Sequence, residues 1–135
     1  MSELTESPVS PAYAFGRLFA TYEREQAIYH GFDPGKRNLL SQKYFSAAME
    51  APAVIFPDLA SLSQVYMTKI NMPLHEKFNL LHGDLISQIG TSLPKSFSIY
   101  EQGSFVMGYY QQKTSFIRDA KAAKKAKEDA TNDSI

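Results

Sequence analysis

Apolar positions along this chain recur every three to four residues, and no alternating apolar run is long enough to make a strand. The richest such stretch is residues 101–113, which predicts an amphipathic helix. At about 100° per residue it places Ile99, Val106, Tyr110 and Ile117 on one core-facing side, flanked by Phe105, Tyr109 and Phe116. Lys113 falls within the same arc. A lysine so placed either snorkels to the rim or points its ammonium at something anionic held between helices. Gly103 is read as a close-packing point on the inner border of this helix, and Gly108 as room for a neighbour on its outer side.

The same periodicity predicts four earlier helices. The first spans 11–29, with Ser10 as its cap and Pro11 at its first position, and buries Phe15, Leu18, Phe19, Tyr22 and Tyr29. Arg17 and Arg24, seven apart, lie on its opposite side near Tyr13. It stops at His30-Gly31, before a turn at 32–35. The second spans 38–50 with Leu40, Tyr44, Ala47, Ala48 and Ala51 inward and Lys43 at the edge. A third, 53–70, carries Ile55, Leu59, Leu62, Tyr66 and Ile70 in register and contains Pro57. The fourth, 74–89, buries Leu74, Phe78, Leu81, Leu85 and Ile89 and ends at Gly90. Ser98 and Glu101 form a capping box that starts the fifth.

The pattern therefore predicts an all-α fold, a single compact bundle of about five helices with a long C-terminal helix. Residues 1–10 are expected to be a flexible N-terminus, 11–118 the helical domain, and 119–135 a solvated Lys/Ala-rich extension and tail.

Composition narrows the function classes. A chain of 135 residues, 44% apolar, builds one core. The absence of cysteine excludes disulfides and thiolate metal sites, and suits a reducing cytoplasm. With no apolar run near 18 residues, no membrane partner is expected. His75 and His82 share a helix side at a spacing of seven, whereas zinc ligands on one helix sit three or four apart, so no metal is expected. No nucleophile elbow, phosphate-binding loop or dinucleotide fingerprint appears. The expectation is a protein without catalytic residues or cofactor.

Net formal charge is zero but unevenly spread. Arg17 and Arg24 with Tyr13, Lys36 and Arg37 with Lys43, and Lys113 with Tyr109 and Tyr110 combine cations with aromatic rings. Such combinations suit a strand whose phosphates are neutralised and whose bases stack, although a solvated charged surface explains each pair more simply. Lys121 to Lys127 reads as a solvated helix or tail, able to touch a nucleic-acid backbone only nonspecifically.

Three segments in order carry a resemblance: residues 13–20 (Tyr-Ala-Phe-Gly-Arg-Leu-Phe-Ala), residues 44–48 with 51–57, and residues 101–103 through 108–110. Together they resemble the C-terminal domain of the large subunit of the type I-C CRISPR surveillance complex, Cascade, a region also made separately as the small subunit from an internal translation start. The resemblance implies a helical, non-catalytic small subunit. Its implied partners are the backbone subunits carrying guide RNA, the large subunit, further copies of itself, and the target DNA single strand of the R-loop. It carries DNA contact onto Arg17, Lys43 and Lys113. Together with the cation and aromatic pairing, this gives the candidate nucleic-acid-binding set Arg17, Arg24, Lys36, Arg37, Lys43 and Lys113. Ser41, Val65, Tyr66 and Gln111 depart from the family pattern, which has basic residues there. The alternative expectation is a protein-protein scaffold within the same complex that does not touch DNA.

Overall fold

The computed structural model describes residues 11–31, 39–90 and 93–133. The expectations for residues 1–10, for Ser10 as a cap, and for Lys36 and Arg37 lie outside these. The described residues form five α-helices: α1 (Pro11–His30), α2 (Leu39–Glu50), α3 (Pro52–Met67), α4 (Leu74–Ile89) and α5 (Ile99–Asp133). No strand occurs among the described residues, and the fold is an all-α bundle with a long C-terminal helix.

The helix around which the others pack is α1, rather than the C-terminal helix. It contacts α2, α3, α4 and α5, and most of its side chains are buried, including the polar Thr21, Glu23, Glu25 and Gln26. It therefore has no open side on which Arg17 and Arg24 stand free. Both are half-buried.

Helix α5 runs alongside α1 in the same direction, at backbone contact. A Cβ placed on Gly16 would lie 1.9 Å from the Phe105 carbonyl oxygen, and one on Gly108 would lie 2.1 Å from that of Tyr13. Each glycine thus admits the other helix's main chain. Gly108 makes room for a neighbour as expected, but on the core side and not the outer one, and a Cβ at Gly103 would meet only open space, which corrects the close packing expected there. The buried face of α5 is centred on Phe105, Tyr109 and Gln112, while Ile99 is 88% and Tyr110 57% exposed. The apolar pattern mis-centres this face because a glycine and a glutamine occupy the seam.

Seven aromatic rings fill the space between α1, α2, α3 and α5. Phe15 packs on Phe56 at 4.8 Å between centroids, Phe45 on Tyr109 at 4.8 Å, and Phe19 on Phe105 at 6.0 Å, with Phe97 closing the end at 5.6 Å from Phe15. These tilted and edge-on arrangements suit the quadrupoles of the rings. A second apolar cluster, Met67, Ile70 and Phe78 with Ile28 and Phe116, seals the other end of α1.

The breaks follow local chemistry. Gly31 and Gly90, at φ of 76° and 88°, end α1 and α4 in a conformation that costs other residues a Cβ clash. Pro52 opens α3 one residue earlier than the spacing predicts, because proline at the first helical position forgoes no hydrogen bond. The same helix keeps Pro57 inside it and stops at Met67, before the buried Ile70. The Ala53 N–H donates to the Pro94 carbonyl at 3.1 Å, so the loop before α5 supports the start of α3. Leu74, at 39% exposure, is not the buried residue its spacing suggests. The Ser98 and Glu101 capping box forms as expected, with reciprocal bonds of 2.9 and 3.1 Å.

Candidate nucleic-acid interface

Three of the predicted cations converge on the α1–α5 seam. Arg17 Nε donates to Gln112 Oε1 at 2.9 Å, one turn from the hydrogen bond between Tyr13 and Gln111. Lys113 reaches inward, where its Nζ donates to the Tyr109 hydroxyl at 3.1 Å and lies 3.4 Å from Glu23 Oε1. The Tyr109 hydroxyl in turn donates to the Glu23 carboxylate at 2.8 Å. Lys113 and Glu23 side chains retain only 12% and 5% of their exposure. The anion held between helices is thus a side chain of this protein. Tyr109, at 2% exposure, is part of that internal network and offers no ring to a ligand.

Arg24 sits further along the seam, in a groove of about 270 Å³ between α1, α4 and α5. Ile28, Phe78, Leu81 and Phe116 give this groove apolar walls, and Lys77 and Asp119 flank it. Burial among those walls pushes the Arg24 guanidinium below its ordinary pKa. Lys43 lies apart on α2, exposed, with its Nζ 5.3 Å from the Tyr44 ring centroid.

A second buried polar group ties α1 to α3 and α4. Glu25 is fully buried, accepts a hydrogen bond from Ser63 Oγ at 2.5 Å, and pairs with His82 Nε2. Tyr22 stacks its edge on His82 at 5.6 Å. Burial, reinforced by the Glu25 charge, pushes the Tyr22 phenol well above the usual range. His75 is turned elsewhere, its Nδ1 3.3 Å from Asn79 Nδ2. The arrangement links three helices through one carboxylate. Sequence pattern does not reveal it, because Glu23 and Glu25 stand two apart and each buries its charge against a different neighbour.

Among the described residues no three His, Asp or Glu side chains gather as a metal site, and no helix is long and apolar enough to cross a membrane. What the surface offers is exposed charge and exposed rings: Lys43, the lysines of the distal half of α5, Tyr100 at 84% and Tyr110 at 57% exposure. Chemically, such groups neutralise phosphates and stack on bases.

No curated protein matches the chain closely enough to add a relative to this description. The family model of the CRISPR-associated protein Cas_Csd1, in contrast, matches residues 1–117, which include α1 to α4 and the packed half of α5. The chain therefore belongs to the Cas_Csd1 family of CRISPR-associated proteins.

Proposed function

We propose that this protein is the small subunit of a type I-C Cascade, a non-catalytic helical component that holds DNA opened in the R-loop and stabilises the assembly. The observation that carries the reading is the family match over 1–117, which contains the three segments resembling the C-terminal domain of the type I-C large subunit. Exposed cations and tyrosines outside the packed core support it. In guide-directed recognition base pairing reads sequence, and protein is left to hold backbones. The proposed neighbours are the guide-RNA-bearing backbone proteins of the complex, its large subunit, and further copies of the chain.

One observation favours the scaffold reading. Val54, Val65, Leu80 and Ile86 are each more than half exposed on α3 and α4, and suit contact with another protein better than contact with phosphate. Assembling the complex with and without the chain separates the two. Intact assembly with lost affinity for R-loop DNA supports the DNA-holding role. Failure of assembly supports the scaffold.

A further inference from the structure

The face of α5 turned away from α1 is graded. Taken at 100° per residue, Tyr100, Met107, Tyr110, Arg118, Lys121 and Lys125 fall within an arc of about 80° on the side opposite Phe105 and Gln112. All six are exposed. No Asp or Glu falls in that arc between residues 100 and 125. The first half presents two phenol rings and a thioether, and the second half presents three cations spaced three and four residues apart. A shallow depression of about 500 Å³ lies where the halves meet, walled by Met107, Tyr110, Thr114 and Arg118. Gly103 keeps the track low between Tyr100 and Met107, with open space where a Cβ would be.

We infer that this stripe is a track for single-stranded nucleic acid, with bases stacked on Tyr100 and Tyr110 and phosphates on Arg118, Lys121 and Lys125. The inference rests on the DNA-holding reading and gives it a surface. Charge complementarity selects the occupant. An acidic protein would be served by the cations alone, whereas the rings that continue the stripe match the π-faces of unpaired bases. Arg17 stands on α1 and Lys113 turns inward to Glu23, so neither belongs to this stripe. The cations of the stripe lie past residue 117, where the family match ends, while its rings lie within the matched region.

The test is binding of a fluorescent oligothymidylate to the full 135-residue chain across a salt series. Replacing Arg118, Lys121 and Lys125 together by Gln is expected to reduce the log-log salt slope by about 2, since each phosphate contact on a single strand contributes about 0.7. Replacing Tyr100 and Tyr110 by Ala is expected to weaken binding by about fivefold or more per ring at an unchanged slope. Wild-type binding by both sets of variants, with binding lost instead in Lys43→Gln, overturns the track and leaves the DNA-holding reading standing. Equal affinity for polyglutamate, indifferent to the tyrosines, overturns it in favour of an acidic protein partner. No oligonucleotide binding by wild type, alone or in assembled complex, overturns both.

Discussion

Lys113 and Glu23 form a partly enclosed ion pair, 3.4 Å apart, whose carboxylate also accepts the hydroxyl proton of Tyr109. A charge in that position is worth most as a partner for another buried charge. Removing one member takes the opposite charge away from the other in a desolvated place, which costs about 3 to 5 kcal/mol in well-buried pairs. Lys113→Met is expected to approach the lower end of that range in urea denaturation, and Lys113→Met with Glu23→Gln to recover part of the loss. Any fall in DNA affinity on replacing Lys113 should then track the fraction unfolded. An affinity loss in a Lys113 variant of wild-type stability would assign the lysine to the ligand instead.

The glycines of the α1–α5 seam give opposite predictions for chemically identical changes. Gly16→Ala and Gly108→Ala each put a methyl group against main chain at 1.9 and 2.1 Å, which no rotamer change relieves. Each is expected to destabilise by about 3 kcal/mol or more, the upper part of the overpacking range. Gly103→Ala meets nothing and removes a helix-interior glycine, so it is expected to stabilise by up to about 1 kcal/mol. Thermal midpoints of the three variants, measured side by side, decide this. A tolerated Gly16→Ala would mean that the helices stand further apart.

Which parts of this architecture can be read from sequence follows from what each residue type signals. Helix α4 is legible at both ends, since Pro73 precedes it and Gly90 supplies the positive φ that ends it. The start of α5 is legible from Ser98 and Glu101, because a capping box is a local device. The face of α5 is not, since Gly108, at the closest approach, and the buried Gln112 carry no apolar signal. Gly16 gives no warning of its role for the same reason. Placing Arg17, Arg24 and Lys113 near one another on the seam requires the α1–α5 pairing, which is a tertiary fact. Helical periodicity assigns the two arginines an open side that α1 does not have.

Alkaline pH should weaken the fold through buried phenols. Burial raises the Tyr22 pKa above its ordinary value, with the Glu25 charge adding to it, and burial raises Tyr66 despite its hydrogen bond from Gln26. The neutral form is therefore favoured in the folded chain. Above about pH 10 the unfolded chain releases these protons while the folded chain retains them. Stability is thus fully present below about pH 10 and declines as pH rises further. Tyr22→Phe is expected to make the decline between about pH 10 and 11 shallower in urea titrations. An unchanged slope in Tyr22→Phe would mean that the phenol reaches solvent.

Arg17 and Lys43 are both DNA candidates, and their surroundings predict different signatures. Lys43 is exposed, with one ring contact to Tyr44. Lys43→Gln is expected to leave the denaturation midpoint unchanged and, where a phosphate is its partner, to reduce the salt slope for single strands by about 0.7. Arg17 is half-buried and donates to Gln112, and a hydrogen bond from a charged group contributes about 1.5 to 3 kcal/mol. Arg17→Ala should therefore lower stability by an amount in that range, with solvent exposure placing it toward the low end. Gln112→Ala removes the same bond while leaving the cation, so the pair of variants separates packing from charge. If Arg17→Ala and Gln112→Ala weaken DNA binding equally, the arginine acts through the seam. If only Arg17→Ala does so, and the salt slope falls with it, the guanidinium touches phosphate.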